Sequence, residues 1–495
     1  MYDILQLIIS AIAVVTLLVV AILRVIPFLH MLQLEGYKNK RFIKWLINNP
    51  TKTLIVRPLK EPKKKLVFTA RATRLFTLTM LLLAFVTYYF FTLSLFFLVT
   101  AILIYVCVPI LLMLSNMLIY PLEAIINNLY LKSARRKLLR LKPKVIAITG
   151  SYGKTSTKDF LASILSKRYR VLKTPGSFNA PMGVCKVIRG ELKPEHEIFI
   201  VEMGARERGN IKELCDFVRP EIGIITAIGP QHLETFKTIE NVVNTKYELV
   251  ESLPVDGYAV LNYDDEGCRN LVKRIKEKKV LLYGINKDNR KLHLTAKNIS
   301  MDSKGIYFLA QNGKETTVPC HCKLLGKHNV YNILAAATVA LEFRMSLDEI
   351  AEVIRTLEPT PHRLQLIRGT GGIAVIDDAF NANPVGARMA LEVLGEFKGG
   401  GRKVLVTPGL VELGEKEYEE NKHLGMVAAN VCDFVFLIGP KRTRPVFDGL
   451  KEAGFPEASV YVEKNLRAVT ERFKNVLRVG DVVLFENDLP DNYSE

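Results

Sequence analysis

The chain is 495 residues long, with 49% hydrophobic residues and a formal net charge of +18. That length leaves room for two or three domains, and the hydrophobic share is high for an ordinary soluble enzyme. The charge is uneven: residues 1–144 hold 20 Lys and Arg against four Asp and Glu, whereas the other 351 hold 48 against 46. A basic surplus confined to an apolar N-terminal region points to membrane topology and anionic lipid head groups as partners, and not to nucleic acid.

In chain order, Ile4–Leu23 is the first apolar run, interrupted only by Gln6, Ser10 and Thr16, and long enough to cross a hydrocarbon core of about 30 Å. It lacks a basic leader and a small-residue cleavage site, since Tyr2 and Asp3 precede it and Arg24, Val25 and Ile26 follow, so an uncleaved anchor is expected. Leu75–Ile119 is uncharged and about twice that length, with a weak polar break at Thr92–Ser94. Transmembrane helices are therefore expected over 4–23, 75–93 and 95–119. The intervening loop, which includes Arg24, Lys38, Lys40, Arg41, Lys44, Lys63, Lys64, Lys65, Arg71 and Arg74, should face the cytoplasm, as should everything after the basic segment 132–144.

The stretch VIAITGSYGKTST, Val145–Thr157, then reads as strand, glycine turn and helix start. Gly150 and Gly153 allow backbone N–H groups to approach phosphate oxygens, Lys154 adds a positive charge, and the helix start aims its dipole at the same anion. The Thr155 hydroxyl is placed to ligate a phosphate-bound Mg2+. The full Walker spacing would require another glycine where this chain has Ile148.

An amphipathic helix (158–168), a strand (171–174) and the turn-rich loop PGSFNAPMG (175–183) follow. IFIVEM, 198–203, has the form of a buried parallel strand delivering Glu202 to the carboxyl edge of a sheet. There it could meet Mg2+ beside the phosphate loop, or pair with Arg206 or Arg208. A strand at 222–228 leads into GPQHLETF, whose His232 and Glu234 lie where imidazole can hold a metal or steer a phosphate. Lys246, in a helix over 239–253, reads on pattern alone as a solvated residue. Strands at 257–261 and 280–283 and a β-rich insertion over 292–318 precede GKHNVYN, where Asn329 and Asn332 could read a base edge. Cys320 and Cys322 form one C-x-C pair, a weak zinc signal, and the seven cysteines of a cytoplasmic chain need no disulfides. A helix over 347–357 ends at Pro359 and Pro361, a domain boundary. Beyond it come a strand ending in Asp377 and Asp378, a helix over 385–394, and strands at 403–407, 434–438 and 482–485. Strand–helix alternation predicts parallel sheets with helices on both faces.

Seven motifs in one order, TGSYGKTST (149–157), VEMGA (201–205), IGPQHLETF (228–236), NTKYEL (244–249), GKHNVYN (326–332), PHR (361–363) and DDAFNANP (377–384), resemble the Mur ligase superfamily over roughly residues 142–495. The resemblance implies an α/β chain of two Rossmann-like parallel-sheet domains: a central P-loop ATP-binding domain over 142–361 and a C-terminal ligase domain over 362–495. A membrane region, 1–141, replaces the usual UDP-binding domain. It also implies an ATP-dependent amide ligase of peptidoglycan precursor synthesis working through an acyl phosphate. The expected substrates are a muramoyl-peptide-like carboxylate and a D-Ala-D-Ala-like amine, with ATP and Mg2+ as cofactors.

By the same resemblance Gly150, Ser151, Gly153, Lys154, Thr155 and Ser156 would hold the phosphates. Thr155, Glu202 and His232 would hold metal, with Lys246 joining them if carbamylated. Asn329 would approach the adenine, Arg363 the γ-phosphate, and Asp377 the ribose with Asn381 close by; Lys154, Lys246, His232 and Arg363 form the catalytic set. The N-terminal region and the C-terminal LFENDLPDNYSE, which stands where a KGS-R motif is expected, depart from the family in parts concerned with substrate. A different carboxylate, lipid-linked included, or a membrane scaffold built on a degenerate ligase are the alternatives.

Overall fold

From Lys144 onward, apolar strands that lie under helices on both faces build the frame, as their near-continuous Val, Ile and Leu runs require. The computed structural model describes residues 2–50, 64–92, 97–231, 233–285, 292–302, 305–313, 316–368, 372–380, 383–397 and 401–489. The described residues divide into two compact units, one within 2–129 together with 489, the other within 130–488.

In the larger unit the first sheet contains β1 (Lys144–Thr149), β2 (Val171–Lys173), β3 (Ile198–Glu202), β4 (Ile222–Ile225), β5 (Tyr258–Asn262), β6 (Lys279–Gly284), β7 (Leu294–Asp302), β8 (Gly305–Asn312) and β9 (Thr316–Cys322). Its order is β2-β3-β1-β4-β5-β6-β7-β8-β9. Pairing is parallel through β6–β7 and antiparallel from β7 to β9, so the β-rich insertion extends the sheet as a meander. The second sheet has β10 (Gln365–Arg368), β11 (Ala374–Asp378), β12 (Lys403–Thr407), β13 (Phe434–Ile438), β14 (Val460–Glu463) and β15 (Val482–Glu486), in the order β10-β11-β15-β12-β13-β14. Only its edge strand β10 runs antiparallel among these pairings.

One face of the first sheet is filled by Ile146, Ile148, Phe160, Leu161 and the Ala-rich helix Lys327–Glu342. The other packs Val145, Ala147, Phe199 and Val201 against Val184, Leu214 and Leu249, with Ala134 and Leu138 joining them. Small side chains let the Lys327–Glu342 helix lie close to its neighbours, and Ala335, Ala336, Ala337 and Ala340 are all buried.

In the smaller unit, helices cover Tyr2–Leu34, Asn39–Asn48, Ala70–Thr92 and the start of Phe97–Leu141. Two apolar stretches, Ala70–Tyr89 and Tyr105–Leu141, are long enough to cross a membrane, and a bent pair, Val19–Leu34 with Asn39–Asn48, makes up to three. The first helix runs past the expected end at Leu23, so Arg24 is a buried helical residue and not the start of the basic loop. Its guanidinium lies 3.5 Å from the centre of the Tyr105 ring and donates to the Tyr105 carbonyl at 2.6 Å, a paired burial of the kind that apolar surroundings demand. Most of the polar break expected at Thr92–Ser94 lies outside the described residues, and the helix after it continues through Pro109 and Pro121 to Leu141, well past the expected end at Ile119.

Candidate active site

Strand β1 ends at Thr149 and the chain turns through Gly150 (φ +149°) and Gly153 (φ +76°) into the helix Lys154–Leu165. Each glycine is required by space as well as by φ. A Cβ on Gly150 would lie 2.0 Å from Thr226 Oγ1, and one on Gly153 would lie 2.3 Å from Asn332 Oδ1. Ile148, at the position where the full Walker spacing has glycine, is a buried residue inside β1 paired with Glu202, so the turn begins later.

Ser151 is buried and closes the loop from below: its N–H donates to the Ala227 carbonyl at 2.8 Å, and its hydroxyl donates to the Gly229 carbonyl at 2.9 Å. Lys154 Nζ folds back to the Gly150 carbonyl at 2.7 Å. Burial lowers its pKa to about 8, with Glu202 opposing that shift and Arg363 adding to it. Thr155 points at the end of β3, its Oγ1 donating to Glu202 Oε2 at 3.0 Å, while Ser156 is buried in the first helical turn.

Glu202 is 1% exposed at the carboxyl edge of the sheet, as its strand pattern predicts. Its partner is neither Arg206 nor Arg208. Lys158, 0% exposed and one helical turn beyond Lys154, lies with Nζ 3.1 Å from Glu202 Oε2 and also donates to the Gly176 carbonyl. Asn179 Nδ2 donates to Glu202 Oε1 at 3.1 Å, so the 175–183 loop is tied to the same carboxylate. Burial alone would raise the Glu202 carboxyl, but Lys158, Lys154 and Asn179 hold it below its ordinary value. Arg206 instead lies 3.4 Å from Glu412.

Lys246 is a buried residue of the helix Ile239–Glu251, against the solvated position its pattern suggests. Burial, and then the Lys154 charge, push its pKa well below that of an ordinary lysine, which favours a neutral, nucleophilic amine. Two residues on, Glu248 accepts the N–H groups of Gly209 (2.7 Å) and Lys212 (2.9 Å) and so caps the helix Asn210–Val218. His232 and Asn381 lie outside the described residues.

Arg363 brings the second sheet to the same place. It sits between two left-handed residues, His362 (φ 60°) and Leu364 (φ 45°), with its guanidinium 4.7 Å from the centre of the Phe380 ring. Burial lowers its pKa, while Asp378, Glu202 and Glu486 act to raise it; Arg363 in turn acts to lower Lys154 and His328. The cation therefore lies between the phosphate loop of one domain and the acid-tipped strands of the other. Asp377 takes the His362 ring at 2.7 Å and the Ala379 N–H at 3.1 Å. Asn329 and Asn332 are both buried: Asn329 donates to the Leu325 carbonyl at 2.8 Å, and Asn332 donates to Asn329 Oδ1 at 3.1 Å and accepts from Thr157 Oγ1 at 3.3 Å. In this arrangement they brace the glycine turn.

The C-x-C pair is part of the core. Cys320 and Cys322 are buried in β9, and burial pushes their thiols up to about 12 and about 11. Among the described residues no group of three or more His, Cys, Asp or Glu is arranged to hold a metal ion. The oxygen pair Thr155–Glu202 nevertheless suits a hard divalent cation.

A phosphate loop, an acid at a neighbouring strand end and an arginine supplied by a second α/β domain define a nucleotide-dependent ligase. The Mur ligase middle-domain model matches residues 148–340, and the Mur ligase, glutamate ligase domain matches residues 362–486. The chain belongs to the Mur ligase family of ATP-dependent carbon–nitrogen ligases.

It is 31% identical over 357 residues to a UDP-N-acetylmuramoyl-tripeptide–D-alanyl-D-alanine ligase of Bacillus subtilis, covering 71% of this chain and 75% of that relative. It is 33% identical over 297 residues to the like-named protein of Escherichia coli, covering 60% of this chain and 64% of that relative. Among solved structures it is similar to MurF from Thermotoga maritima in complex with ADP, with TM-score 0.65 and 26% identity, covering 73% of this chain and 80% of that one.

Proposed function

We propose that this chain joins an amine of the D-Ala-D-Ala kind to the carboxylate of a muramoyl peptide, at the expense of ATP, on the cytoplasmic side of the cell membrane. The observation that carries the reading is the convergence of Lys154, Thr155, Glu202 and Arg363 from two domains on one phosphate loop. The names of the relatives supply the substrate class.

In this reading the acceptor carboxylate oxygen attacks the γ-phosphorus of ATP, the bond to ADP breaks, and an acyl phosphate forms. The amine nitrogen then attacks the acyl carbon and loses a proton, the bond from the acyl carbon to the bridging oxygen breaks, and phosphate leaves with that oxygen and its electron pair. The turn at Gly150–Gly153 and the helix start bind the phosphates through backbone N–H groups, with Ser151 and Ser156 shaping the turn. Lys154 and Arg363 approach from opposite domains and offset charge on the transferred group. Asp377 and Asn381 hold the ribose and Asn329 the adenine edge. Thr155, Glu202 and His232 would hold Mg2+, with carbamylated Lys246 supporting a second ion, and the two would offset phosphate charge. The lowered pKa of Lys246 favours carbamylation, because the unprotonated amine is the form that adds CO2.

The three-part division at 141 and 361 and a multi-pass anchor with lipids around residues 1–141 belong to the same proposal. They are supported by the apolar helices and by the basic surplus of residues 1–144. That anchor also favours a second reading, in which the acceptor carboxylate is itself lipid-linked. The test is trapping: with ATP, hydroxylamine and a muramoyl-tripeptide acceptor, the acyl phosphate should yield a hydroxamate, and Lys154→Ala should yield none. Phosphate release without hydroxamate, from soluble and lipid-linked acceptors alike, would refute an acyl phosphate.

A further inference from the structure

The first apolar helix ends at Leu34 and the chain breaks through two left-handed residues, Gly36 (φ 66°) and Tyr37 (φ 59°), before a ten-residue helix, Asn39–Asn48. The second axis is turned by 116° from the first. At about 1.5 Å per residue the short helix is roughly 15 Å long, half of what a crossing needs. If the first helix crosses the bilayer, the second must run close to the plane of its surface.

The side chains divide accordingly. Phe42 is buried edge-on against Phe28 at 6.0 Å, and Trp45 stacks on Phe42 at 6.3 Å. These residues dock the helix on its own bundle. On the flank beside them Ile43 is 42% exposed and Ile47 71% exposed, while Lys40, Arg41 and Lys44 occupy the remaining arc.

A second segment supports the same level. His30 bonds the Lys64 carbonyl at 2.7 Å, and Gln33 both donates to the Val67 carbonyl at 2.8 Å and accepts the Val67 N–H at 3.0 Å. Residues 64–68 are thereby pinned beside the last turns of the first helix. They place Lys64 and Lys65 next to Val67, 59% exposed, and Phe68, 52% exposed. Two separate pieces of chain thus put exposed apolar side chains and a run of cations in one band, with Glu35 as the only acid among residues 30–48 and 64–68.

We infer that Asn39–Asn48 is an in-plane interfacial helix that sinks Ile43 and Ile47 to the head-group boundary and gathers anionic phospholipid through Lys40, Arg41 and Lys44, with Lys64 and Lys65 alongside. The inference rests on the membrane reading proposed above. It gives the basic segment a definite structure and a partner: a lipid phosphate, recognised by charge and depth together. The band then fixes where the first helix leaves the bilayer.

Trp45 is the single tryptophan of the chain, so fluorescence excited at the red edge, where tyrosine does not absorb, reports this helix alone. The full chain is reconstituted into vesicles of phosphatidylcholine with phosphatidylglycerol, using lipids brominated either near the head group or at mid-chain. Emission should be quenched most by the shallow bromines. Brominated phosphatidylglycerol should quench in preference to brominated phosphatidylcholine by about fivefold or more. The triple variant Lys40→Gln, Arg41→Gln, Lys44→Gln should lose that lipid preference while remaining with the vesicles in alkaline carbonate.

A chain that carbonate washes off overturns the membrane reading and this inference together. A chain that is retained but whose Trp45 is open to aqueous acrylamide, as if the helix lay in solvent or met a protein instead, overturns the in-plane placement alone. Strongest quenching from mid-chain bromines overturns it in favour of a re-entrant segment, and equal quenching by the two lipids overturns the head-group preference.

Discussion

Replacing Lys158 with methionine removes the ammonium that neutralises Glu202 while keeping the length and apolar character of the side chain. Because Lys158 is 0% exposed and Glu202 1%, solvent screens little of the pair. Deleting one partner of a buried pair costs roughly 3–5 kcal/mol, since the remaining charge is left without its counterion. Glu202 would keep the Thr155 hydroxyl and the Asn179 amide, and Lys154 acts on the same carboxylate. Those contacts place the expected loss at the low end, about 3 kcal/mol. Denaturant titration of the intact protein in detergent would measure it. The double variant Lys158→Met, Glu202→Gln, which removes the stranded charge, should recover at least about half of the loss. A single-variant cost below about 1 kcal/mol, or a double variant no more stable than the single, would refute Lys158 as the counterion of Glu202.

Three further outcomes follow from the geometry. Gly153→Ala forces a Cβ to 2.3 Å from Asn332 Oδ1 and a left-handed φ on an L-residue, so calorimetry should show nucleotide affinity falling about tenfold or more. Lys154→Ala should abolish ATP-dependent phosphate release while the far-ultraviolet spectrum stays unchanged, as read by a coupled phosphate assay.

Glu486 is fully buried; burial and then Asp378 raise its pKa well above normal, and burial raises Asp378 to about 6 against the pull of Arg363. Acids with raised folded-state pKa values bind more protons folded than unfolded. The stabilising contribution of Asp378 is present below the ordinary carboxylate range and is lost as pH rises through about 6, and that of Glu486 is lost as pH rises through its own raised value. Glu486→Gln should therefore stabilise the chain at pH 8 by about 1–3 kcal/mol and flatten that decline, measured by denaturant titration across pH.

The phosphate loop and Glu202 were legible because strand ends announce themselves: an apolar run stops and the next residue must face the sheet edge. Lys158 and Lys246 were not, since a lysine in an amphipathic helix has the pattern of a solvated residue, and only the packed neighbours reveal that both are buried. The resemblance pointed to Lys246 but not to Lys158. Strands β10 and β14 escaped notice because they are short edge strands with few buried side chains, and so carry little of the apolar signal. The overlong first helix escaped because hydropathy marks where an apolar run ends, whereas the backbone continues through Arg24 and His30 once the Tyr105 ring and carbonyl and the Lys64 carbonyl engage them. Asn332 carries a structural part that its motif does not announce: its Oδ1 lies where a Cβ on Gly153 would fall, and its amide donates to Asn329 Oδ1.

The account is tested most directly by mass spectrometry of the reaction itself. The intact protein is given ATP, Mg2+, D-Ala-D-Ala and a muramoyl-tripeptide acceptor in soluble or lipid-linked form. The prediction is a new amide product equal to acceptor plus dipeptide less one water, formed with one ADP and one phosphate and absent with Lys154→Ala. ATP turnover that is the same in Lys154→Ala, or that proceeds with no amide product from either acceptor, would contradict it.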